Sequence, residues 1–168
     1  MALSLYDTSV PVFARGLGQL TFVLEKSLKH ATANSIDPAT LVDARLAPDM
    51  LTLAGQVQRA SDASKLGSAR IAGAPAPSFA DNETSFEELL ARIAKTQDFL
   101  KTVPRDAIDG HEDREVVIKA AGGEARFTAE RYLLQFALPN FFFHVTTAYD
   151  VLRHKGMPIG KLDYLGKF

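Results

Sequence analysis

The chain has 168 residues, a formal net charge of -1 and no cysteine. That length supports one domain over residues 1–168 with a sizeable core, and the missing cysteines exclude disulfides, thiolate metal sites and a cysteine nucleophile. Acidic and basic residues are interspersed, which gives no general attraction to nucleic acid or anionic lipid.

From about Tyr6 to Asn34, Phe13, Leu17, Leu20, Leu24 and Leu28 recur at spacings of three and four and predict a long helix with one apolar face. Asn34-Ser-Ile-Asp-Pro38 ends it, and a linker runs to Pro48. Pro48 suits the first turn of a second helix carrying Met50, Leu53, Val57, Leu66 and Ile71. Gly55 and Gly67 each lower its helix propensity by about 1 kcal/mol but let another helix approach closely. Gly73-Ala-Pro75-Ala-Pro77-Ser breaks the chain. Thr84-Ser-Phe-Glu87 then fits a capping box for a third helix, with Phe86, Leu89, Leu90, Ile93 and Phe99 on its buried side and Pro104 as its stop.

The segment Glu115 to Phe127 is β-branched on one arm, turns at Gly122-Gly123 and reads as a hairpin. Thr128 can cap a fourth helix through Tyr132, Leu133, Phe136, Phe142 or Phe143, His144 and Val151, which Pro139 should bend beside Asn140. The expected fold is a mainly all-α four-helix bundle with a short β-hairpin between helices three and four. The tail from Met157 to Gly166 is apolar enough to pack back on the bundle or on a partner chain. The N-terminus lacks the basic and long apolar regions of a secretion signal, and no stretch approaches the roughly 20 apolar residues that span a bilayer. A soluble cytoplasmic protein without membrane partners is expected.

Chemistry centres on the last helix. Asn140, His144 and Thr147 fall on one stripe and form the candidate small-molecule pocket. The competing account makes His144 a core histidine bonded to a carbonyl or side chain. Arg153, His154 and Lys155 occupy the last turn before Gly156, where positive charge stabilises the negative end of the helix dipole. His30, His111, His144 and His154 supply no pair at the spacing of helical metal ligands. Asp43, Asp49 and Asp62 have no evident basic partner in sequence, and no nucleophile elbow or phosphate-cradling loop is present.

Arg45-Leu-Ala-Pro-Asp-Met50, Leu138-Pro-Asn-Phe141, Phe143-His144-Val-Thr-Thr-Ala-Tyr149 and Leu152-Arg-His-Lys-Gly156 running into Ile159-Gly-Lys161-Leu-Asp163-Tyr-Leu-Gly166 together resemble a bacterial domain-of-unknown-function family within the DinB/YfiT-like superfamily. The resemblance covers the whole chain and implies a four-helix bundle, often dimeric. It also implies a divalent metal held by one histidine of the second helix and an H-x-x-x-H pair on the last, with thiol-dependent transferases among the members. Here only His144 matches that set: the partner position is Ala148, and the helix expected from Pro48 to Ile71 has no histidine. The leading expectation is therefore a small-molecule binder without a complete metal site or cofactor. A metal-dependent transferase or hydrolase with His144 as a ligand is the second, and a non-catalytic homodimer using the tail and Phe141–Phe143 is the third.

Overall fold

The spacing of Phe13, Leu17, Leu20 and Leu24 builds α1 (Val10–Ala33), in which all four are buried and Leu28 is half-buried. The protein is described by a computed structural model covering residues 3–120 and 123–167. The expected linker contains a further short helix, α2 (Pro38–Val42), started by the Asp37 carboxylate accepting from the Ala39 N–H at 3.0 Å. The next helix, α3 (Leu53–Ala72), starts beyond Pro48 because Thr52 is its cap: the Thr52 hydroxyl accepts from the Gly55 N–H at 3.2 Å. Residues 45–50 stay in a loop whose Pro48 and Met50 carbonyls take hydrogen bonds from Arg45.

Burial on α3 differs from the expected apolar stripe. Leu53, Val57 and Ile71 are buried, but Leu66 is only half-buried, as is Met50, which the later start leaves in the loop before the helix. Ala54, Ala60, Ser61, Ser64, Gly67 and Ser68 are buried with them. Small side chains let the neighbours close in; a Cβ on Gly67 would lie 3.2 Å from the Phe13 ring and 3.4 Å from Ala137. Ser64 Oγ donates to the Ala60 carbonyl at 3.1 Å and Ser61 Oγ meets Thr96 Oγ1 at 2.7 Å, while the buried Ser68 Oγ has no partner among the described residues. Gly73, at φ 65°, ends the helix, and the Arg114 guanidinium donates to the Ile71 and Ala107 carbonyls there.

Helix α4 (Phe86–Lys101) is capped one residue later than expected. The Glu88 carboxylate accepts from both the N–H and the hydroxyl of Thr84, at 2.6 and 3.1 Å, which leaves Ser85 Oγ to accept from the Glu88 N–H. The hairpin β1 (Glu115–Ala120) and β2 (Gly123–Thr128) is antiparallel, with Val116 opposite Phe127 and Ile118 opposite Ala125. Val116 and Ile118 point into the core. Of the expected Gly-Gly turn, Gly122 lies outside the described residues.

Thr128 caps the last long helix as expected, accepting from the Arg131 N–H at 3.3 Å. That helix runs as α5 (Ala129–Tyr132), a wide π turn (Leu133–Ala137) and α6 (Leu138–His154). The irregularity thus precedes Pro139 instead of lying beside Asn140. Pro139 lacks an N–H for the Gln135 carbonyl and its ring crowds that group; widening the turn before it relieves both conflicts. The wide turn also resets the faces. Tyr132, Leu133, Ala137 and Phe141 are buried, whereas Phe136 and Phe143 are exposed.

Each of α1 and α3 packs between α4 and α6, so α1 and α3 face each other across the bundle. Phe13 and Phe141 meet edge to face at 5.1 Å in its centre. The tail folds back on the bundle: Met157 and Ile159 are buried, and α7 (Lys161–Leu165) is tied to α1 by Lys26 Nζ to Asp163 at 2.8 Å. No described helix is long and apolar enough to cross a membrane.

Candidate ligand cleft

On α3, Arg59, Asp62, Ala63, Leu66 and Arg70 recur at spacings of three and four and form one wall of a cleft of about 280 Å3. Tyr132, Phe136, Ala137 and Asn140, on either side of the π turn, form the opposite wall. Ile118 and Lys119 of the hairpin close one end. Of the three pocket residues expected from sequence, this cleft takes in Asn140. Its amide has no hydrogen-bond partner among the described residues.

His144 lies one turn further along α6 and is half-buried. Its Nδ1 sits 2.8 Å from Gln56 Oε1 on α3, while Gln56 Nε2 reaches toward the Leu51 carbonyl at 3.4 Å. That pairing assigns the amide oxygen to the imidazole and makes Nδ1–H the donor, so Nε2 carries the lone pair of a neutral ring. Burial, reinforced by the positive charge of Arg59, pushes the His144 pKa below its ordinary value. Thr147 is buried, and its hydroxyl donates back to the Phe143 carbonyl at 2.7 Å. The stripe therefore divides: Asn140 faces the cleft, His144 meets Gln56, and Thr147 serves its own helix.

Asp62 is well supplied with basic partners, contrary to the sequence expectation. Its carboxylate lies 3.0 Å from Arg92, 3.1 Å from Lys65 and 3.4 Å from Arg59. Arg92 reaches it from α4, a separation in sequence that no local pattern reveals. The same Arg92 side chain, only 1 % exposed, also meets Asp81 at 3.0 Å and Glu83 at 2.8 Å. Phe79 lies against this cluster, with Lys65 Nζ 4.0 Å from its ring centre. A hollow of about 380 Å3 beside it is lined by Glu83, Arg92 and Lys95, among others.

The residues do not fit the metal site that the sequence resemblance implies. Opposite His144 stands the neutral amide of Gln56, and Ala148, where a second imidazole would be needed, is fully buried with no donor. Asp62 is held by three cations. Among the described residues, no three His, Asp or Glu side chains converge to hold an ion. His30 instead lies beside Asn34 at the end of α1, and His154 ends α6, where Gly156 takes φ 82°.

Arg59, Arg70 and Lys119 carry no expectation from the sequence, and Tyr132 and Phe136 enter it only as part of the fourth helix's apolar pattern, not as site residues. The run of polar residues at helical spacing on α3 was the one available signal for the first two. No functionally curated protein matches the chain. A crystal structure of a DinB family member protein from Shewanella denitrificans superposes with a TM-score of 0.90 at 35% identity, over 98% of this chain and 93% of that one. The profile of the domain of unknown function DUF1993 matches residues 5–165. By that match, and by a bundle shared almost end to end with the Shewanella protein, the chain belongs to the DUF1993 family of DinB-like helical bundles.

Proposed function

We propose that the chain acts as one ligand-binding domain, taking up a small molecule in the cleft between α3 and the π turn, with Asn140 on its wall and His144 and Thr147 fixing the helix behind it. The observation that carries this reading is the cleft itself. Leu66, Ile118, Phe136 and Ala137 supply apolar surface, while Asn140 and Arg70 offer convergent polar groups. No metal is needed to complete it. A fragment screen followed by amide NMR tests the reading: bound fragments should perturb Ala63, Ala137 and Asn140 together, and Ala63→Phe should abolish the perturbation by filling the space. Fragments that bind equally well to Ala63→Phe, or that perturb other surfaces only, would rule the cleft out.

A homodimer is a second reading. An open groove along Gly18, Gln19 and Leu162 is flanked by Phe22, 48 % exposed, and Leu162 itself is 74 % exposed. Phe141, which sequence placed in such an interface, is in the core. Sedimentation of wild type beside Leu162→Glu decides the point, since a dimer through this groove would dissociate in the variant.

A further inference from the structure

We infer that the ligand is a small organic carboxylate with an apolar or aromatic body, Arg70 holding the anion and Phe136 the body. This rests on the cleft being a ligand site. Arg59, Arg70 and Lys119 line it against the single carboxylate of Asp62, although the whole chain carries a net charge of -1. Arg59 is neutralised by Asp62 and Asp81 at 3.4 and 3.1 Å. Among the described residues, no carboxylate comes within ion-pairing distance of Arg70 or Lys119. The uncompensated charge in the cleft is therefore positive, which favours an anion.

Arg70 is also held for the task. Its Nη1 donates to the hydroxyl of Tyr132 at 2.9 Å, and Tyr132 is itself buried to 1 % exposure. A guanidinium has five N–H donors in one plane, so the remaining edge of the fork stays open, and a carboxylate matches it with two parallel hydrogen bonds. Tyr132 thus acts as a positioning residue. Beside this group the Phe136 ring stacks on Tyr132, with centroids 5.7 Å apart and planes 24° from parallel, and still presents 37 % of its surface. The π turn makes that exposure; an unbroken α-helix would rotate Phe136 relative to the buried Tyr132 and Ala137, and such turns recur at binding sites. Leu66 and Ile118 extend the apolar surface. A volume of about 280 Å3 falls just short of the usual ligand-site range of roughly 300–1,000 Å3, which restricts the ligand to a single ring or a short branched chain.

Three probes separate the possibilities: benzoate, the neutral isostere benzamide, and inorganic phosphate, each titrated into the intact protein and followed by amide NMR at Ala63, Ala137 and Asn140. Benzoate is expected to saturate these signals with an affinity about tenfold or more above that of benzamide, the difference a charge-assisted pair supplies. Arg70→Gln should bring the two probes level. Equal binding of benzoate and benzamide in wild type would overturn the carboxylate while leaving the cleft as a ligand site. Phosphate binding without benzoate binding would overturn the apolar body. Silence from all three at the cleft would remove the carboxylate inference, and the fragment screen would then decide separately whether the cleft binds anything. Should Arg70→Gln fail to fold, the wild-type benzoate-to-benzamide ratio and its decline with added sodium chloride carry the same decision.

Discussion

At position 56, a buried glutamine decides what His144 can do. Gln56 is only 2 % exposed and its amide oxygen takes the imidazole N–H. Removing the ring leaves that oxygen unpaired in the bundle. His144→Ala is therefore expected to lower stability by roughly 1–3 kcal/mol, measured by urea unfolding, and Gln56→Leu with His144→Leu should recover part of the loss by removing both polar groups together. A double variant no more stable than His144→Ala would argue against the pairing. The sequence pattern showed that a histidine sat on the inner side of the last helix. It held no clue to its partner, because Gln56 lies far away in the chain and glutamine carries no helical signature of its own. Arg70 escaped for the same reason: its meaning comes from Tyr132, brought beside it only by folding.

Between elements, Arg92 is the tie that joins α3, α4 and the segment that connects them. Its guanidinium bonds Asp62 on α3 and, within the connecting segment, the Ala80 carbonyl and the Glu83 carboxylate. Replacing it leaves Glu83, 10 % exposed, with no cation among the described residues and takes one partner each from Asp62 and Asp81. Arg92→Leu should cost about 3–5 kcal/mol and should make residues 74–85 the first point of proteolytic cutting; an unchanged denaturation midpoint would show the cluster to be ornamental. The elements themselves were largely legible. Apolar spacing marked the four long helices, Thr128 marked a true cap, and Gly73 a true end. What escaped was governed by longer-range or finer effects. The burial of α3 rests on serine, alanine and glycine, which an apolar count passes over, and the wide turn before Pro139 is a response to crowding that spacing does not encode.

Across the whole molecule, His144 and Glu83 are the most buried of the groups whose lowered pKa values shape the response to acid. The less buried carboxyls of Asp7, Glu88, Asp109, Glu112 and Asp163 are lowered too and add to the loss at the acid end. Burial holds His144 below its ordinary 6.5. Above that pH its contribution is fully present; as pH falls from 6.5 through the lower native value, the unfolded chain takes the proton first and stability declines. For Glu83, burial pushes upward, but hydrogen bonds from Arg92 and Gln58 outweigh it and hold the carboxyl below its ordinary 4.5. That contribution is present above 4.5 and is lost as pH falls through the lowered native value. A melting profile should thus be level above about 6.5, step down below it and fall again below about 4.5. His144→Gln should erase the first step and leave the second, and a first step that survives the substitution would assign it to another group.

The bundle's closure carries a further consequence for how the chain is made. Phe13 packs against Phe141, and Lys26 is tied to Asp163. A ribosome adding roughly 5–20 residues per second needs on the order of 6–26 s to travel from one phenylalanine to the other. Through that interval the α6-facing side of α1 has no mate. The nascent first helix is thus a natural client for whatever holds apolar peptide at the exit tunnel, and its face is covered only when the last long helix arrives.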